Sequence, residues 1–187
     1  MKKYQIIYAD PPWRYEHPPI GSKNRAIENH YPTMTIKNIC ALPIQNLYEK
    51  NCALFLWATA PKLKECLEVM GAWGFEYRTC MVWDKEIIGM GYWFRSQHEL
   101  LLVGKVGKLS PPEPSNRISS VFKERRTKHS RKPEGVREYI TKNYVNIPKI
   151  ELFAREKTEG WDVWGNEVES DIDLKKLANL TRGSNEN

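Results

Sequence analysis

No apolar run in this 187-residue sequence approaches the ~18 to 20 residues that a membrane-spanning helix needs. The opening Met1-Lys2-Lys3 leads into a short strand-like run, not into a signal segment with a small-residue cleavage site. A soluble, cytoplasmic protein without membrane contact is therefore expected. Cysteine is scarce: Cys40, Cys52, Cys66 and Cys80 lie far apart, without the close pairs that a zinc or redox motif requires. Free thiols in a reducing compartment and no metal site are the expectation. A separate zinc finger, a helix-turn-helix signature and an RNA-binding module are also lacking. With 41% hydrophobic residues, the chain can bury one sizeable core and is too short for two comfortable domains. One domain over residues 1–169 is expected, with a weakly ordered tail over residues 170–187, where the periodic signal ends.

Positive charge and aromatic rings are what the sequence has in quantity. Lys and Arg total 29 against 23 Asp and Glu, a formal charge of +6, which biases the partner toward a polyanion such as nucleic acid. Among the seven Trp and nine Tyr, several sit beside Pro, Gly or charge, where a flat ring can stack on a base.

Tyr4–Ala9 reads as a short strand that stops at Asp10-Pro11-Pro12, where two prolines forbid further ladder hydrogen bonds. Residues 14–32 form an aperiodic loop, and Thr35 caps a short helix toward Leu42. The apolar run Cys52–Ala58 has the pattern of a strand buried on both faces. A helix over about Lys62–Trp73 carries Leu63, Cys66, Leu67 and Met70 on one stripe and ends at Gly71 and Gly74. Strands are predicted over Phe75–Trp83, His98–Val103, Ser119–Phe122 and Lys149–Ala154, and a helix from Pro133 to about Asn143. This alternation predicts an α/β fold with a mostly parallel central sheet flanked by helices.

In such a sheet, ligands bind outside the carboxyl ends of the strands, which is where Asp10-Pro11-Pro12-Trp13 falls. The prolines fix the backbone and direct the Pro11 carbonyl. An exocyclic amino group offers two hydrogens, and the Asp10 carboxylate with that carbonyl can accept both. The lone pair of an aromatic amine is delocalised into the ring. Two acceptors favour a more tetrahedral nitrogen and stabilise the positive charge that develops on alkylation. Trp13 would offer a face on which a purine stacks. Read alone, Asp-Pro-Pro fits a strand-ending turn equally well.

Seven segments in order resemble the MT-A-seventy-like adenine methyltransferases: Asp10-Pro11-Pro12-Trp13, His30–Met34, Leu54–Trp57, Gly91-Tyr92-Trp93 before His98-Glu99, Arg131-Lys132-Pro133, Glu151–Arg155 and Trp164-Gly165-Asn166. The resemblance runs to about residue 168. It implies a Rossmann-like methyltransferase fold in which the catalytic motif precedes the cofactor-binding segments, with S-adenosylmethionine as donor. On it, Asp10 holds the methionine ammonium as well as the target amine, and Lys132 meets the methionine carboxylate near the helix start. It also assigns Arg155 to the ribose hydroxyls, Asn166 to the donor's adenine or ribose, and Phe153 to the same pocket, with Glu167 standing where relatives carry glutamine. Tyr31, Trp57, Tyr92, Trp93 and Glu99 match the acceptor side, although Trp57 ends an apolar run and fits a core role as well. Lys157 for histidine and Arg131 for a neutral residue depart from better-known relatives. The sequence enters the catalytic strand at once, so an upstream wall for the donor's adenine is not expected.

The basic run Lys123, Arg125, Arg126, Lys128, Arg131 and Lys132, with Lys105 and Lys108, would contact phosphates. The compact form resembles a microbial or phage DNA methylase. The expectation is site-specific N6 methylation of adenine in DNA. RNA adenine or a cytosine amino group are the alternative acceptors, and a noncatalytic nucleic-acid-binding subunit is the reading from another class. The family also implies pairing as a homodimer or heterodimer.

Overall fold

Strand β1 (Tyr4–Ala9) ends one residue before Asp10 in the computed structural model, which describes residues 2–14, 33–91, 93–127 and 131–177. The chain continues through α1 (Ile36–Cys40), β2 (Tyr48–Ala58), α2 (Leu63–Ala72), β3 (Glu76–Asp84), β4 (His98–Val106), β5 (Val121–Lys123), α3 (Glu134–Asn143), β6 (Lys149–Leu152) and β7 (Asp162–Trp164). The seven strands form one sheet in the order β5-β3-β4-β2-β1-β6-β7. Strand β4 is antiparallel to both neighbours, and every other pair is parallel. The fold is the mostly parallel α/β sheet that the alternation predicted, in the Rossmann-like form that the resemblance implied.

Two buried clusters cover the two faces. One joins Ile7, Ala9, Leu54 and Leu56 to Ile39 of α1 and to Cys66, Val69 and Met70 of α2. The other joins Ile6, Tyr8, Phe55 and Trp57 to Val136 and Ile140 of α3. Alternation along β1 and β2 thus feeds both faces, as a strand buried on both sides requires.

Local signals set most boundaries. The Thr35 hydroxyl accepts the Asn38 amide and caps α1. Helix α2 closes with the Gly74 amide donating to Gly71 and the Phe75 amide donating to Met70, the paired bonds of a glycine-terminated helix end. Its buried stripe differs from the expected one. Cys66, Val69 and Met70 face the sheet, whereas Leu63 and Leu67 are exposed. The helix is turned this way because Trp73, just past its end, is buried and donates its indole N–H to the Ile39 carbonyl. Strand β4 runs three residues beyond the expected Val103, and β6 stops at Leu152, two residues short of Ala154. Strand β7 has only three residues, too few to show a period.

The segment after residue 169 packs against the domain. Asp171 accepts the Val163 amide at 2.9 Å, and Leu174 and Leu177, on one helical turn, are buried in the first cluster. The expectation of a loose tail from residue 170 therefore fails for residues 171–177. Two leucines at i and i+3 form too short a stripe to signal a helix. Leu174→Ala should destabilise the protein by about 2 to 4 kcal/mol in urea unfolding; a change within about 0.5 kcal/mol would mean that this segment carries no core packing.

Candidate active site

The sheet reverses its winding at β1, whose neighbours are β2 on one side and β6 on the other. That switch point opens a crevice at the carboxyl edge, and Asp10 stands directly on it. The side chain of Asp10 is a quarter exposed. Lys132, one residue before Pro133, brings its Nζ to 2.8 Å from Asp10 Oδ2 and 3.1 Å from Glu99 Oε2. Lys85 Nζ lies 3.5 Å from the other Glu99 oxygen. An alternating line of charges, Asp10, Lys132, Glu99 and Lys85, thus crosses the carboxyl edge from β1 to β4. Burial pushes the Asp10 carboxyl above its ordinary range, and Lys132 offsets only part of that rise while Glu99 adds to it. Burial pulls on the Lys132 ammonium in the opposite sense, yet Asp10 and Glu99 together outweigh it and hold its pKa above the usual value.

The floor under this line is aromatic. Trp57 is buried, packs edge-on against Tyr8 and Trp83, and sets its ring centroid 5.6 Å from Lys132 Nζ. Its ring is covered, so it supports the lysine and leaves no face for a base. Trp13 is likewise 6% exposed, packed in the core, and donates its indole N–H to the Trp57 carbonyl. The purine-stacking face expected of Trp13 is therefore covered. Pro11 also differs from the expectation: its carbonyl already accepts the Trp13 amide at 2.9 Å, so at most one lone pair is left for an incoming amine. Pro12 accepts the Met34 amide, which ties the motif to the start of α1.

The N-terminus of α3 holds a group that the sequence did not reveal. Glu124, just after β5, accepts the Glu134 and Gly135 amides at 3.0 and 3.2 Å. Those helix-end donors are taken, so the Lys132 ammonium is what this corner offers to a ligand carboxylate. Below Asp10, the buried pair Glu151 and Arg137 is a second omission from the sequence reading, with contacts of 3.1 and 3.3 Å. Burial pushes the Glu151 carboxyl up to about 7 against the pull of Arg137, with Asp10 adding to the rise. An acidic residue between Ile150 and Leu152 in the strand Lys149–Leu152 was the available signal.

On the other side of β1, Phe153 leaves β6 with φ of 62°, a left-handed backbone that a bulky residue seldom adopts. Its ring packs edge-on against Trp164. The Ala154 amide donates to the Trp164 carbonyl, and a Cβ at Gly165 would overlap the Ala154 carbonyl, so glycine is needed for this approach. Arg155 is exposed, stands close enough to Asp10 to lower its pKa, and brings Nε to 3.5 Å from Glu167. Asn166 is exposed beside it.

Residues 4–167 match the MT-A70 family. The chain belongs to it. Members of the MT-A70 family use S-adenosylmethionine and methylate the N6 amino group of adenine in DNA or RNA. The chain is 37% identical to the Type II methyltransferase M.MunI of Mycoplasma sp, over 89% of this chain and 78% of that protein. It is 28% identical to the N(6)-adenine-specific methyltransferase METTL4 of Mus musculus, over 89% of this chain and 38% of the relative. The human N(6)-adenosine-methyltransferase catalytic subunit METTL3 is 28% identical, over 90% of this chain and 29% of its own length. The chain thus spans less than two fifths of the METTL relatives.

Within this MT-A70 domain, Asp10, Lys132, Glu99 and Trp57 come together, and Phe153, Arg155, Asn166 and Glu167 line up across β1 from them. Arg125 is exposed and Arg126 half-buried after β5, on the same edge. Tyr31, Tyr92 and Lys128 lie outside the described residues. Trp93 is 94% exposed, on the loop between β3 and β4. Lys105 and Lys108 are at the opposite edge, because β4 runs backwards and its end pairs with the beginning of β2. Among the described residues no group of His, Cys, Asp or Glu is clustered to hold a metal, and no helix is long and apolar enough to cross a membrane.

The raised Glu151 carboxyl makes a signed prediction. An acid whose folded pKa exceeds its unfolded value binds more protons in the folded state between about pH 4.5 and about pH 7, so its contribution to stability falls as pH rises through that window. Thermal unfolding of wild type should therefore lose ground to Glu151→Gln between pH 4.5 and 7, by up to a few kcal/mol. Parallel curves across that range would show that Glu151 does not titrate there.

Proposed function

We infer that this chain is an S-adenosylmethionine-dependent methyltransferase that modifies the N6 amino group of adenine in DNA, with Asp10 as the central catalytic group. The observation that carries the reading is the ion pair of Asp10 and Lys132 on the switch point of the sheet. An amino-acid head group carries one ammonium and one carboxylate, and this pair offers it one carboxylate and one ammonium. The fit is strengthened by Glu99 Oε2, which is buried and meets Lys132 outside hydrogen-bond geometry. With Glu99 beside it, Lys132 keeps a counter-charge when it turns toward a ligand carboxylate.

When bound, the donor supplies an electrophilic methyl group on a sulfonium sulfur. Asp10 would hold the donor's ammonium and accept one N6 hydrogen, and the remaining lone pair of the Pro11 carbonyl would accept the other. Both acceptors stabilise the positive charge that grows on N6, and Asp10 or solvent takes the proton that leaves. Lys132 would hold the carboxylate, Arg155 the ribose hydroxyls, and Phe153 with Asn166 and Glu167 the wall beside the donor's adenosine. The cations Arg125, exposed, and Arg126, half-buried, suit phosphates of the acceptor strand. DNA is favoured because the relative that shares 37% identity over most of both chains is a Type II methyltransferase. A cytoplasmic location in a microbial or phage-infected cell follows from that reading.

The test is mass spectrometry of nucleosides after the protein is incubated with labelled donor and either DNA or RNA. N6-methyladenine in DNA is expected, and label confined to RNA or to cytosine would replace the acceptor. Asp10→Ala should lower transfer by at least about a hundredfold while the protein stays folded at the assay temperature; retained activity would end the mechanism. Lys132→Ala has a subtler signature besides weaker donor binding. The ammonium lowers the Asp10 pKa and Glu99 raises it, so removing Lys132 should move the acid limb of the kcat/KM profile to higher pH. An unmoved limb would mean that Asp10 does not govern it.

A further inference from the structure

We propose that the loop joining β3 to β4 is a wedge that enters a DNA duplex beside the target adenine, with Trp93 and Phe94 filling the stack; this rests on the adenine-in-DNA reading. The amino group that reaches Asp10 must come from a base outside the helix, because Asp10 lies in a crevice only a quarter exposed. Flipping that base costs stacking and pairing, and the vacated space must be filled or collapse.

The loop is placed for this by topology. It leaves β3 after Asp84 and returns at His98, and both ends lie at the carboxyl edge where Asp10 sits. Its root is a built hairpin: Gln97 donates to the Asp84 carboxylate at 2.8 Å, the Lys85 amide to Gln97 at 3.0 Å, and the Gly89 amide to Ser96 at 2.8 Å. A Cβ on Gly91 would overlap the Phe94 carbonyl, so the turn is tight at its tip. Beyond that root stand Ile88, Met90, Trp93 and Phe94, 70%, 77%, 94% and 87% exposed. Four large apolar side chains in water on one short loop need an occupant.

Charge decides which one. The segment after β5 is fastened to the root by the Glu124 amide donating to Asp84 and the Arg126 amide donating to Lys85, which sets Lys123, Arg125 and Arg126 beside the loop that also carries Arg95. The neighbouring acids are turned onto internal donors: Asp84 onto Gln97 and the Glu86 amide, Glu99 onto Lys85 and Lys132, Glu124 onto the start of α3. Glu86 remains as the exposed acid of the root. Aromatic side chains rimmed by cations match stacked bases rimmed by phosphates.

The test compares wild type with the double variant Trp93→Ser/Phe94→Ser on one mapped target sequence. The sequence is offered as a duplex, as a single strand, and as a duplex with an abasic site opposite the adenine. A wedge is needed least where the base is already free. The variant should lose about tenfold or more on the intact duplex relative to its loss on the other two substrates. In addition, 2-aminopurine at the target position should brighten with wild type and stay dark with the variant. Equal loss on all three substrates, or full activity on the intact duplex, would overturn the wedge. So would a lower mass of the variant in light scattering, since that would assign the loop to a contact between copies. If wild type methylates none of the three substrates, the reading of the site fails, and the wedge falls with it.

Discussion

The ammonium of Lys132 is the constraint on which the carboxyl edge of this protein depends. It ties the end of β1 through Asp10 to the start of β4 through Glu99, and its position beside Pro133 fixes the start of α3 against both. Two carboxylates this close would repel one another strongly without the cation between them. A charged group in such surroundings is costly to bury and costlier to leave unpaired, so removing one member disturbs the others by more than its own contacts. The covered ring of Trp57 contributes by lying beneath the cation and excluding water from below. Strength and chemistry here come from the same arrangement, since the groups that hold the edge together are the groups a zwitterionic ligand would address.

How much of this could be read from the sequence follows from the range of each interaction. The prolines after Ala9, the hydroxyl of Thr35 and the glycine after α2 act within a few residues, and each marked its boundary. The order of matched segments pointed to the family and brought Asp10 and Lys132 to one donor site although they lie far apart in the sequence. What stayed hidden depends on which distant backbone lies alongside. Nothing local in Glu124 says that it will occupy the end of α3, and nothing local in Arg137 says that it will face Glu151. The burial of Trp13 likewise follows from where its indole meets the distant Trp57 carbonyl, not from the composition of its own segment, whereas Trp57 ended an apolar run that already fitted a core role. Leu174 and Leu177 were missed because a stripe of two residues has no measurable period.

The plug at the start of α3 changes how ligand binding at this edge should be pictured. In many nucleotide-binding sheets, bare amides at a helix end receive an anion. In this chain a carboxylate of the protein itself already fills that role, through Glu124, so selectivity for a carboxylate ligand passes to a side chain that can move. A lysine on a flexible stem can exchange one partner for another without disturbing the helix it precedes.

The reversed strand β4 has a consequence for how such a domain could acquire new targets. A parallel pair must be joined by a connection that crosses the sheet, whereas an antiparallel pair can be closed by a hairpin of any convenient length. Because β3 and β4 run in opposite directions, their connection begins and ends on one edge. The entropic cost of lengthening such a loop grows only with the logarithm of its size. Insertions there leave the registers of β1, β2 and β6 untouched, so this loop surface can be rebuilt while Asp10 and Lys132 stay where they are.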